Sequence, residues 1–238
     1  MLTSSHGRSD RGAVRSHNED SYLDDPANRL WVVADGMGGH AAGDVASQTI
    51  IKHLRALPRP PQTVDYVDQV DDALAAANAE LIEYAHRNAL QIVGSTAVVL
   101  LDAGSYMLCA WAGDSRIYQR AGNGLRQLTR DHTQAHEMMS TGAFSAADVQ
   151  SHAQGGALVR AVGAEAGLVV EWAAAEATVN DVFLLCSDGV TKEMNDQEIA
   201  EVLGRPAPVS EITSTLVDTC LARGARDNIT AVVVRVEA

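Results

Sequence analysis

Five segments of this sequence set an aspartate beside glycine, asparagine or serine: Asn18-Glu19-Asp20, Asp35-Gly36, Gly113-Asp114-Ser115, Ser187-Asp188-Gly189 and Asp227-Asn228. One such aspartate alone is an ordinary turn residue. Several of them, each next to an apolar strand-like run, can converge on one crevice of a sandwich of sheets. Converging carboxylates repel one another unless cations lie between them. Ligation by oxygen alone selects hard ions, Mg²⁺, Mn²⁺ or Ca²⁺, over zinc. Two such ions about 4 Å apart can hold a bridging water, lower its pKa and aim it at phosphorus. Arg15, just ahead of Asp20, has the planar fork that matches two phosphate oxygens.

The elements that must carry these residues are legible from periodicity. Residues 29–34 form a short apolar run, a predicted buried strand that ends at Asp35. Apolar residues recur at helical spacing over 43–57 (Val45, Ala46, Ile50, Ile51, Leu54) and again over 64–87 (Val67, Val70, Leu74, Ala77, Leu81, Tyr84). Pro58-Arg59-Pro60-Pro61 reads as the link between those two helices. Four strands are then expected at 95–101, 105–112, 116–120 and 125–129. Their connections are so short that antiparallel hairpins are predicted, with Asp114 in a hairpin turn. Residues 133–157 break into short helical pieces with small side chains, which suits a mobile flap. Further strands are expected at 168–176, 182–186 and 229–236, and helices at 196–203 and 209–223. Helices grouped before and after clustered hairpins imply an α+β sandwich rather than alternating βαβ units.

Composition narrows the function classes. At 238 residues with no flexible divider, one domain over 1–238 is the expected organisation. A net charge of −13 with scattered Lys and Arg argues against nucleic acid and against anionic membrane surfaces as partners. No apolar run approaches membrane-spanning length, and the polar stretch 1–20 does not read as a secretory signal. Cys109, Cys186 and Cys220 read as small buried hydrophobes, which suits a reducing cytoplasm. The string Gly36-x-Gly38-x-x-Ala41 fits a permissive dinucleotide fingerprint, but a second helix follows the first where that fold needs a parallel strand. Gly113-Asp114-Ser115 is no esterase block, because no histidine lies beyond His152 to activate the serine. His132 and His136 stand at zinc spacing but lack the glutamate that should follow the first. His132 is expected to brace the loop after a strand.

The strings RSHNED (15–20), DGMGGHAAG (35–43), GSTA (94–97), AGDSRIY (112–118), LTRDH (128–132), LVRAVG (158–163), LLCSDGV (184–190) and RDNIT (226–230) stand in this order. In that order the chain resembles the bacterial type 2C, metal-dependent Ser/Thr protein phosphatases over almost its whole length. The resemblance implies a four-layer αββα sandwich, two antiparallel β-sheets flanked by helices. It also implies hydrolysis of phosphoserine and phosphothreonine monoesters by in-line attack of a hydroxide bridging two divalent metals, Mn²⁺ or Mg²⁺. Carried over by position, Asp35 would bridge the two ions. Asp188 and Asp227 would complete the first shell, with the Gly36 carbonyl, Glu19 and Asp20 serving the second ion. Asp114 with Asp188 matches a weaker third-metal site, and Arg15 matches the phosphate-binding arginine. Animal members have histidine where this chain has Met37, and a thioether cannot donate a proton. A metal-bound water or another group must then do so, and His40, three residues on, is a candidate acid. The partners implied are phosphorylated proteins and a Ser/Thr protein kinase whose products the enzyme reverses. The alternative, a catalytically inactive phosphoprotein-binding module of the same fold, would be expected to have lost metal carboxylates that are all present here.

Overall fold

Long aliphatic runs can be buried on both faces only if the strands they form lie between two other layers. A computed structural model describes residues 2–38, 42–140 and 157–238 and shows that arrangement. In chain order the elements are β1 (Leu2–Asp10), β2 (Asp20–Asp25), β3 (Leu30–Gly38), α1 (Gly43–Arg55), α2 (Thr63–Arg87), β4 (Val93–Ser95), β5 (Ala97–Asp102), β6 (Tyr106–Ala112), β7 (Arg116–Ala121), β8 (Gly124–Gln127), α3 (Gln134–Ser140), β9 (Glu171–Glu176), β10 (Val182–Cys186), α4 (Asp188–Thr191), α5 (Asp196–Leu203), α6 (Val209–Ala222) and β11 (Ile229–Glu237). One sheet runs β1-β11-β10-β7-β8, the other β2-β3-β5-β6-β9 with β4 paired to the end of β3, and every pairing is antiparallel.

Alternation along single strands assigns the layers. In β3, Trp31 and Val33 meet Phe183 and Leu185 of β10 and Val232 and Val234 of β11 between the sheets. The intervening Leu30, Val32 and Ala34 pack under α1 and α2, beside Ile50, Leu54, Leu74 and Leu81. On the far side Leu184, Cys186, Ala231 and Val233 pack under α5 and α6 against Ile199, Ile212 and Leu216. Helix, sheet, sheet and helix are therefore stacked, and the αββα expectation holds. Cys109, Cys186 and Cys220 are all buried free thiols. No helix among the described residues is long and apolar enough to cross a membrane.

Several expectations are corrected. The turn at Gly113-Asp114-Ser115 is not a hairpin, because β6 and β7 belong to different sheets. β6 already has β5 and β9 on its two edges, and β7 has β10 and β8, so the segment is a crossing from one sheet to the other. Gly113 makes that corner at φ +114, where an added Cβ would lie 2.6 Å from Thr96 Cβ. The strand expected at 95–101 is split at Thr96 into β4 and β5, and the one expected from 168 starts at Glu171. β1 and β2 were not anticipated at all. In the anticipated flap, α3 and the Thr133–Leu158 bridge are seen. Residues 141–156 lie outside the described residues.

Candidate metal centre

The strand ends that face one edge of the sandwich carry the acidic residues. β2 and β3 pair so that Asp20 lies opposite Asp35. Asp114 sits in the crossing to β7, Asp188 opens α4 straight after β10, and Asp227 lies two residues before β11. The two sheets thus each send carboxylates to the same end.

Asp20 is buried, and its Oδ2 accepts hydrogen bonds from Ser187 Oγ and Thr230 Oγ1, each at 2.7 Å, both on the opposite sheet's side. Its Oδ1 is buried without a partner, and so is Oδ1 of Asp188. Burial pushes the Asp20 carboxyl up to about 6 against the pull of those two hydroxyls, and Asp188 and Asp227 add to the rise. Asp35 is raised well above the carboxylate range, first by burial and then by Asp20, Asp188, Asp114 and Asp227 in turn. Burial, then Asp188 and Asp131, lift Asp114 to about 7. Asp227 differs: burial works to raise it, but Lys192 and Arg15 hold it below its usual value. Lys192 Nζ lies 2.9 Å from Asp227 Oδ2 and also contacts Asp188, while an Arg15 guanidinium nitrogen lies 2.8 Å from Asp227 Oδ1.

Backbone geometry sets the remaining positions. The Gly36 amide donates to the Glu19 carbonyl at 3.1 Å. A Cβ at Gly36 would lie 1.9 Å from the Gly43 oxygen, so only glycine allows β3 and the start of α1 to approach this closely. The Glu19 carboxylate lies against Gly43. Asn228 accepts from the Glu19 amide at 2.9 Å and donates to the Arg11 and His17 carbonyls at 2.9 Å each, pinning the loop that carries Arg15. Asp35 N–H donates to Thr96 Oγ1 at 3.0 Å, and Thr96 Oγ1 meets Ser115 Oγ at 2.7 Å. His132 braces the crossing as expected, its Nδ1 accepting from Gly113 N–H at 3.1 Å.

Asp20, Asp114, Asp188 and Asp227 thus all lie near enough to raise the proton affinity of Asp35, with Glu19 and Gly36 at the same strand ends and Arg15 paired to Asp227. His40 lies outside the described residues. The carboxylates converge without closing: among the described residues no three acidic, imidazole or thiol groups already form a ligating cluster. Lys192 spans two of them instead. The donor set still fits a hard cation. It is all oxygen, it holds two buried carboxylate oxygens without partners, and its anions raise one another's proton affinity. Sequence reasoning missed Lys192, whose i,i+4 spacing from Asp188 at a helix start was the available signal. It also missed the roles of Asn228, Ser187 and Thr230, although all three stand inside or beside the quoted motifs.

Comparison with known proteins identifies the family and the fold. The family described as Protein phosphatase 2C matches residues 3–138. The Serine/threonine phosphatase stp of Listeria monocytogenes is 34% identical over 235 residues, covering 95% of this chain and 93% of that protein. Among solved structures, PppA, described as a key regulatory component of T6SS in Pseudomonas aeruginosa, superposes with a TM-score of 0.91 at 39% identity, covering 99% of this chain and 98% of that one. The catalytic domain of the serine threonine protein phosphatase PstP, solved in complex with 2 manganese ions, gives a TM-score of 0.88 at 33% identity, covering 99% of each.

Proposed function

The chain belongs to the protein phosphatase 2C family and is a metal-dependent serine/threonine phosphatase acting on phosphorylated proteins, and from that premise we propose which of its residues do the work. The observation that carries the assignment is the convergence of Asp20, Asp35, Asp114, Asp188 and Asp227 from both sheets on one end of the sandwich. Asp35 would be the carboxylate available to both of two ions, Mn²⁺ or Mg²⁺. Asp188 and Asp227 would help to hold one ion, and the Gly36 carbonyl, Glu19 and Asp20 the other. Asp114, with Asp188, would serve a third and weaker ion. The ions, when bound, supply Lewis acidity that activates water and offsets the charge of the phosphate.

The protein's own groups do the rest. Arg15, half-exposed at the mouth, turns from Asp227 to hold two phosphate oxygens in a bidentate fork. Asn228 keeps the loop of Arg15 and Glu19 in place, so the guanidinium is presented rather than searched for. Lys192, which pairs with both Asp188 and Asp227, would have to leave them for either carboxylate to hold a cation. Met37 donates no proton to the leaving alcohol, so a water or another group must, and His40 is a candidate for that role. The domain assignment is a single catalytic unit over 1–238 with a flap at about 133–157. A bacterial Ser/Thr protein kinase supplies the phosphoproteins, and the three buried free thiols suit the reducing cytoplasm in which both would work.

The test is hydrolysis of a phosphothreonine peptide with and without metal. Added Mn²⁺ or Mg²⁺ is expected to restore turnover to chelated protein. Undiminished release of phosphate after thorough chelation would remove the carboxylate cluster from the chemistry.

A further inference from the structure

We propose that the pocket beside Asp227 is a subsite for a second anion on the substrate, an acidic or phosphorylated residue next to the scissile phosphoresidue, selected by Arg226 with Lys192; this rests on the phosphatase reading and adds to it which phosphoproteins are preferred. The pocket has a volume of about 520 Å³ and is lined by Val14, Arg15, Gly189, Lys192, Glu193, Arg226 and Asp227. In a chain of net charge −13, three of its lining side chains are cationic. Of the two carboxylates facing them, Asp227 is already held by Arg15 and Lys192. Arg226 is different. It is exposed and has no ion-pair or hydrogen-bond partner among the described residues.

Its position is nevertheless fixed. Ala225, just before it, is buried, accepts from the Ala13 amide at 2.8 Å and donates to the Cys220 carbonyl at 3.1 Å. Asn228, two residues after it, is tied to the loop of Arg15. Arg15 and Arg226 are therefore presented on two mutually anchored loops that line the same pocket as Asp227. One phosphate engages Arg15 and the carboxylate cluster. The remaining volume faces Arg226 and Lys192, and a guanidinium without an internal partner loses no ion pair when it takes an external anion. Val14, 63% exposed at the lip, offers an apolar wall to the stem of the neighbouring side chain.

The experiment compares phosphothreonine peptides identical except for the next residue: alanine, lysine, glutamate, or a non-hydrolysable phosphonate analogue of phosphoserine. Each is assayed with Mn²⁺-loaded wild type, Arg226→Ala, Arg226→Lys and Arg226→Glu. Wild type is expected to favour the anionic neighbours over alanine by about three- to tenfold in kcat/KM, mainly through KM, and less so as salt is raised. Arg226→Ala should flatten that ratio, Arg226→Lys should restore part of it, and Arg226→Glu should favour the lysine neighbour. Preference for glutamate and phosphonate alike assigns a general anion subsite, and preference for the phosphonate alone assigns a phosphate subsite. Equal kcat/KM for all four peptides in the wild type, or an undiminished ratio in Arg226→Ala, overturns the subsite while leaving the phosphatase intact. Failure to hydrolyse even the alanine peptide overturns the phosphatase reading itself.

Discussion

At Asp35, burial and four neighbouring carboxylates act in the same sense, so the metal-free chain holds this side chain against its own electrostatics. Replacing it by asparagine keeps the shape and removes the charge. Asp35→Asn is therefore expected to lower kcat on the order of a thousandfold, since the carboxylate proposed to serve both ions is lost. The same change should raise the melting temperature of the chelated protein, by about 2–4 °C for each kcal/mol of repulsion relieved. Inactivation accompanied by a lower melting temperature would mean that the side chain holds the fold together rather than opposing it. The acidic residues were readable from sequence because each stands beside glycine, serine or asparagine at a strand end. Their polar supports were less so. Ser187 and Thr230 reach Asp20 from the other sheet, a contact between residues 167 and 210 positions away that no local pattern encodes.

Among the elements, the helices and the aliphatic strands were legible because each buries a continuous stripe or run. β1 escaped notice for a physical reason. Its residues Leu2–Asp10 are polar and half-exposed, and what makes it a strand is backbone pairing with β11, from Leu2 against Glu237 to Asp10 against Ile229. The Gly113–Ser115 segment was misplaced because a short connection implies a hairpin only when both strands keep a free edge in one sheet. Turn chemistry alone does not report which edges are already taken. The junction of β3 and α1 gives the sharpest prediction at this scale. In Gly36→Ala the new methyl meets the Gly43 oxygen at 1.9 Å and the Glu19 oxygen at 2.6 Å, all backbone atoms. The variant should lose about 3 kcal/mol of stability and bind Mn²⁺ more weakly, as read by thermal melts and metal titration. Wild-type values in both would show that the junction has slack the geometry does not display.

For the whole molecule the carboxylates couple stability to pH. Asp20, raised to about 6, Asp114, raised to about 7, and Asp35, raised well above the ordinary carboxylate value by burial, bind protons more tightly folded than unfolded. Their contribution is complete below the ordinary carboxylate pKa near 4 and is lost as pH climbs through the raised values. Asp227, held low, acts only beneath that window. The chelated protein should therefore melt at a lower temperature at about pH 7.5 than at about pH 5. Saturating Mn²⁺ should abolish or reverse the trend, because the cation displaces those protons. A chelated melting temperature that is level across this range would mean the acidic groups do not share one desolvated volume. One feature of the architecture reaches beyond catalysis. Asp20 and Asp35 belong to one sheet, while Asp188 and Asp227 flank strands of the other, so an ion gripped by both sets rivets the two sheets together at one end. Sliding of either sheet over the other would then pull the rivet loose first, and mechanical or thermal stress is expected to silence the enzyme while most of its strands are still paired.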